Sequence, residues 1–177
     1  MLSLSTSWLS PRHREGRDIA HEARELGFEW IEVSHGTKIS QLPGLLDAVK
    51  AGEIKISSLH NFCPAPIEVM MDAPDAFEFT AQKVWERERA ITLTKKTIEM
   101  ATRFGTDLVV MHMGSVPMKS ITTRLEQIVS DGGLYSREFT ELKLKLVTAR
   151  EKASKEHLDR IRAALAELMP ECEKHRV

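Results

Sequence analysis

Asp107-Leu108-Val109-Val110-Met111-His112-Met113-Gly114-Ser115 joins an apolar run to a histidine and then to a glycine. Leu108 to Met111 shows no polar alternation, the pattern of a strand covered on both faces, as strands of parallel sheets are. His112 closes the run and Gly114 breaks it. The imidazole therefore falls where a parallel strand passes into its loop, the end at which α/β folds build their sites. A second copy lies upstream: Ile54 to Leu59 reads as a strand, ends on His60, and is broken by Asn61 and Pro64.

Between these two runs, Val84 to Phe104 carries Ile91, Ile98, Ala101 and Phe104 at helical spacing and stops at Gly105, where a left-handed cap belongs. Further back, Met1 to Ser7 alternates Leu2 and Leu4 with serines as a first strand that Trp8 ends. Arg17 to Leu26 places Ile19, Ala20, Ala23 and Leu26 on one helical face before Gly27. Trp30, Ile31 and Val33 make a second strand, and His35-Gly36 opens the loop after it. Gln41 to Ala51 reads as a helix with Pro43 in its first turn and Gly52 as its stop, and Lys55 to His60 as the third strand. Downstream, Met113 to Tyr135 reads as a loop containing Pro117 and Gly132-Gly133. Ser136 to His175 reads as helix throughout, with Leu158, Ile161, Leu165 and Leu168 on one face and Pro170 expected to kink or shorten its last turns.

The order is strand then helix, four times over, which specifies the α/β class with a parallel sheet and right-handed crossovers. Connections from helix to strand, at Gly27, Gly52 and Gly105, are a few residues long, whereas those leaving the third and fourth strands run to about twenty. Short loops at one end and long ones at the other are how a (β/α) barrel of the TIM type separates its stability face from its active face. Both strand-end histidines fall on the long-loop face. A complete barrel takes roughly 250 residues. Residues 1–177 are expected to form a single domain of about four β-α units, a partial barrel, ending where a helix would turn into a fifth strand.

Composition bounds the function. With 42% hydrophobic and 29% charged residues the chain is an ordinary globular one, and its longest apolar runs are of strand length, too short to span a membrane. No secretory leader is evident in Met1 to Trp8, so a cytoplasmic location is expected. A net charge of −1 gives no electrostatic reason to bind nucleic acid or an anionic membrane, which leaves a small molecule as the expected partner. Cys63 and Cys172 are too far apart in sequence, and too few, for a disulfide framework or a zinc knuckle.

Three segments resemble the xylose isomerase-like barrel superfamily, which holds sugar isomerases and epimerases, inosose dehydratase-like enzymes and type IV apurinic endonucleases. They are Ala23-Arg24-Glu25-Leu26-Gly27-Phe28-Glu29-Trp30-Ile31-Glu32, Ser58-Leu59-His60-Asn61 and Val109-Val110-Met111-His112-Met113-Gly114. The resemblance implies an oxygen-rich site for a divalent metal (Mn, Mg, Co or Zn) at the C-terminal ends of the strands, with carboxylate ligands from strand five onward. In the endonuclease branch, histidines ending strands three and four bind zinc; in the sugar branch, residues there line the substrate pocket. His60 and His112 match those positions. The later carboxylates that would bind the metal and move the proton have no counterpart in these 177 residues.

A lone strand-end histidine is more often a satisfied structural residue than a ligand. Two on one face favour a metal or substrate site, since neutral imidazole is a common ligand. His35 is a further, weaker candidate, while His13, His21, His157 and His175 fall on helices or polar loops and are expected to be solvated. Trp8 could stack on a sugar ring or simply pack, and Asn61 could shape the pocket beside His60. Cys63, although near His60, lacks the spacing that makes a nucleophile and base, and reads as a passive thiol. No Gly-x-Gly-x-x-Gly follows a strand, so the competing dinucleotide-binding sheet lacks its fingerprint.

By resemblance, then, the first expectation is the N-terminal half of a metal-dependent isomerase or epimerase of a small sugar or polyol, inactive by itself. His60 and His112 would hold metal or substrate, with Trp8 and Asn61 in the pocket. Two alternatives stand beside it: an apurinic endonuclease-like repair enzyme, and a non-catalytic half-barrel that assembles with a second copy or with a missing C-terminal half through its unpaired edge strands.

Overall fold

The computed structural model describes residues 2–68, 73 and 75–177. Its strands are β1 (Ser3–Ser5), β2 (Trp30–Val33), β3 (Lys55–His60) and β4 (Val109–Val110), and its α-helices are α1 (Gly16–Glu25), α2 (Leu42–Lys50), α3 (Val84–Phe104), α4 (Thr122–Ser130) and α5 (Arg137–His175). The four strands form one parallel sheet in the order β1-β2-β3-β4. A parallel sheet whose strands pair in chain order and alternate with helices is a partial TIM barrel. No helix among the described residues is long and apolar enough to cross a membrane.

One core lies between the sheet's outer face and the first helices. Ile19 and Ala23 of α1, Leu45 of α2 and Ile31, Val33 and Leu59 of the sheet are all fully buried there. A second core joins α3 to α5: Leu93 and Ile98 meet Ala164 and Leu168, with Phe62 and Phe79 from the β3–α3 connection packed in. Fully burying each leucine, isoleucine, valine or phenylalanine of these cores contributes about 1.5–3 kcal/mol. The second core makes Phe79 part of the frame, so the long connection is anchored to the helices rather than loose.

Several elements differ from the sequence expectation. The expected first strand stops at Ser5, because Thr6–Trp8 turns into a short 3-10 helix whose Thr6 carbonyl accepts from the N–H groups of Leu9 and Ser10. The fourth strand is two residues rather than five. Its partner β3 leaves the sheet at Asn61, so nothing remains for Met111 and His112 to pair with. Inside the expected loop 113–135 lies α4, with Leu125 and Ile128 turned inward toward the start of α5. Helix α5 continues through Pro170 to His175: the proline side is exposed, so water can satisfy the freed carbonyl, while Leu168 and Cys172 on either side pack on the second core.

A register shift positions the site. Ile31 pairs with Ile56, but Glu32 pairs with Ser58, so β3 carries one extra residue at that point. Regular alternation would put Ile56 and Leu59, three apart, on opposite faces. With the bulge both enter the outer core, and His60 turns to the inner face of the sheet.

Candidate functional site

Three strands deliver an imidazole to the same end of the sheet. His60 is the last residue of β3, while His35 and His112 each lie two residues past the ends of β2 and β4. Their rings meet edge to face, with centroids 4.4 Å apart for His35 and His60, 4.9 Å for His60 and His112, and 6.4 Å for His35 and His112.

Each histidine is held from behind. His60 Nδ1 donates to the Asn61 carbonyl at 2.9 Å. Asn61 is itself clamped to α3, where its Nδ2 donates to Thr94 Oγ1 and its Oδ1 accepts from Thr97 Oγ1, both at 2.8 Å. His112 Nδ1 donates to Asp75 Oδ1 at 2.7 Å, which ties the end of β4 to the β3–α3 connection. His35 sits in a turn closed by the Thr37 N–H on the Ser34 carbonyl at 3.0 Å. Thr6, just past β1, pins that turn by accepting from the Ser34 N–H and sharing a hydrogen bond with the Thr37 hydroxyl, each at 2.8 Å.

Electrostatics favour a neutral ring at His60. Burial pushes the His60 pKa below the ordinary imidazole range, and His35 and His112 push it the same way; the Asn61 carbonyl and Glu32 act in the opposite direction. His60 is 9% exposed, whereas the His112 side chain is 40% exposed. With Nδ1 of His60 and of His112 engaged as donors, Nε2 is the atom a neutral ring at either position has left for a ligand, the tautomer that ligating histidines have when an outer partner fixes them. Below them on the inner face, the Glu32 carboxylate accepts from Ser5 Oγ at 3.0 Å and Ser58 Oγ at 3.2 Å, one hydroxyl from each neighbouring strand.

His60 and His112 are thus brought together. Asn61 reaches His60 through its backbone carbonyl, but its side chain is 2% exposed and spent on α3. Trp8 closes the turn after β1 with 74% of its surface exposed. Cys63 is buried with its thiol pushed up to about 12 by burial, which makes it unreactive at neutral pH. Three histidines expected to be solvated are partly buried and bonded: His13 pairs with Glu22, His157 Nδ1 donates to the Ala153 carbonyl at 3.2 Å, and His175 contacts Thr102 Oγ1 at 3.1 Å. Sequence reading passed over Asp75 and Glu32. Nothing local marks Asp75, while Glu32 could have been found from its place on the inward parity of β2. A cavity of about 480 Å³ lies at the opposite end of the sheet, lined by Trp30, Ser57, Thr106 and Asp107, on the face of short turns.

The family described as xylose isomerase-like TIM barrel matches residues 20–177. The chain belongs to that family. No curated protein is matched by the chain. The xylose isomerase-like family includes sugar isomerases and epimerases as well as apurinic endonucleases, and it often binds divalent metals, so the chemistry has to be argued from the site. His60 and His112, each tied through Nδ1, are of the donor type that such ions accept. Among the described residues no three His, Cys, Asp or Glu side chains converge on one metal position as they stand.

Proposed function

We propose that this chain carries the first four β-α units' share of a metal-dependent isomerase or epimerase site for a small sugar or polyol. The observation that carries the reading is the pair His60 and His112 at the C-terminal ends of β3 and β4, each with Nδ1 tied and Nε2 free to bind. A divalent cation held there supplies polarisation of a carbonyl or hydroxyl oxygen.

The residues of this chain perform binding and orientation. Nε2 of His60 and of His112 hold metal or a substrate hydroxyl, the Asn61 carbonyl and Asp75 keep the two rings in the required tautomer, and the exposed Trp8 offers a face for a sugar ring. The carboxylates that move a proton between adjacent carbons belong to later strands in the family, so residues 1–177 are expected to bind without turnover.

Isothermal titration of the folded chain with ketoses and polyols, with and without Mn²⁺ or Co²⁺, tests the reading. Metal-dependent sugar binding that is lost in His60→Ala and His112→Ala supports it. Salt-sensitive binding of a duplex carrying an abasic site, with no response to any sugar, overturns it in favour of the repair-enzyme branch. Isomerase turnover by the pure 177-residue protein would contradict the assignment of proton transfer to other strands.

A further inference from the structure

We propose that Thr80, in the connection between β3 and α3, is a positioning residue for His112: it clasps the backbone two and three residues beyond that histidine and so fixes where the ring stands against His60. The role rests on the reading that His112 faces the ligand, and it adds a part of the site that no local pattern around His112 marks.

Among the described residues the sheet stops short of His112. Its last ladder bond at β4 runs from the Asn61 N–H to the Val110 carbonyl at 2.8 Å. Asp75 ties the imidazole itself, but the His112 and Asp75 side chains are 40% and 61% exposed, and a pair that open fixes little. The chain that carries the ring therefore needs a hold of its own.

Thr80 supplies it. Its Oγ1 accepts from the Ser115 N–H at 3.0 Å and donates to Glu78 Oε2 at 3.1 Å, and the same carboxylate oxygen accepts from the Ser115 hydroxyl at 2.9 Å. One threonine hydroxyl thus serves as acceptor and donor at once. Its side chain also lies directly against Gly114. A Cβ there would stand 2.2 Å from Thr80 Oγ1 and 2.8 Å from its Cγ2, at a backbone φ of +112°, so only glycine allows the approach. Thr80 is braced in turn: it is 2% exposed, it follows Phe79 of the second core, and Arg160 of α5 donates to its carbonyl at 2.8 Å. Support runs from α5 through Thr80 to Gly114, which is separated from His112 by no more than about 7 Å of extended chain. Slack at the clasp passes directly to the imidazole, and a misplacement of about 1 Å is enough to lose a productive geometry.

The test is nuclear magnetic resonance of the full chain labelled at histidine, read as cross-relaxation between the ring protons of His60 and His112, whose ring centres are 4.9 Å apart. The parent should show this signal. Thr80→Val keeps the shape and removes the hydroxyl, and Gly114→Ala blocks the approach; each should broaden the His112 resonances and cost most of the signal, and Thr80→Ser should retain it. Thr92→Val, which loses an exposed hydroxyl bonded within α3, should match the parent. Circular dichroism checks folding, and Ser115→Ala, which removes only one hydroxyl from the clasp, is read the same way if the valine variant unfolds. A parent-strength signal in folded Thr80→Val, or none in the folded parent, overturns the role of Thr80. Titration with fructose and Mn²⁺ separates this role from the reading of the site. Fructose binding that falls with the ring signal in Thr80→Val and persists in Thr80→Ser supports both. A parent that shows the ring contact, loses it in Thr80→Val and binds no fructose overturns the sugar reading and upholds the positioning.

Discussion

Thr97 of α3 donates its hydroxyl to the side-chain carbonyl of Asn61 at 2.8 Å, so the residue behind His60 is fastened to a helix. The same hydroxyl accepts from the Cys63 N–H at 2.9 Å, and Thr94 receives the other end of the Asn61 amide. All of these groups are buried. Removing one partner from such a network leaves a desolvated polar group unpaired, at a cost of about 1–3 kcal/mol. Asn61→Ala and Thr97→Val should each lower stability by that amount in urea unfolding, and Thr97→Ser, which keeps the hydroxyl, should restore most of it. A large loss in the serine variant with little loss in the valine variant would mean that packing of the Thr97 methyl, not the bridge, matters.

Gly16 is where α1 and α2 touch backbone to backbone. A Cβ there would lie 1.8 Å from the Gln41 carbonyl oxygen and 2.6 Å from the Leu45 nitrogen, neither of which can move without shifting α2. Gly16→Ala should cost about 3 kcal/mol or more, or prevent folding. Gly52→Ala makes the contrast: its Cβ would meet nothing within 4 Å, and only its φ of +72° opposes the change, worth about 1 kcal/mol. Comparable urea midpoints for the two variants would refute the close approach.

The parts of the fold that were legible in sequence are those set by long periodic signals. The bounds of α3, read from Ile98, Ala101, Phe104 and the glycine after them, coincide with Val84–Phe104, and β3 likewise ends on His60. What escaped was decided by contacts distant in sequence. Helix α4 was hidden because Pro117 and Gly132-Gly133 punctuate its flanks, although Ile121, Leu125 and Ile128 already carry its spacing. The bulge that turns His60 inward was written in the three-residue gap between Ile56 and Leu59, but a period-two reading does not look for it. At the site, the same strand-end logic that found His60 and His112 applies to His35, whereas Asp75 reaches His112 only through a connection whose path no local pattern specifies.

Cys63 gives a chemical readout of the same core. Its thiol is 2% exposed and shifted to about 12 by burial, while Cys172 is half-buried with a smaller upward shift. At pH 8 the native protein should show at most one thiol reacting with a disulfide reagent over minutes, and two after denaturation. The shift also sets alkaline stability. An unfolded cysteine loses its proton near pH 8.5, whereas the folded one holds it to about 12, so this contribution is complete below pH 8.5 and is lost as pH rises through that window. Cys63→Ser or Cys63→Ala should flatten the decline of urea midpoint between pH 9 and 11; unchanged slopes would place the cause elsewhere.

His60 governs the acid side. Its folded pKa lies below the unfolded value of about 6.5 because burial disfavours the imidazolium, and His35 and His112 add to this while Asn61 and Glu32 oppose it. The unfolded chain therefore takes up a proton first as pH falls. The stability this neutral histidine contributes is full above pH 6.5 and is lost between there and the lower folded pKa. Urea midpoints measured from pH 7.5 down to 5 should fall more steeply in the parent than in His60→Gln, which has no proton to take up at that position. The two profiles running parallel through this range would show that protonation of His60 is not what destabilises the protein in acid.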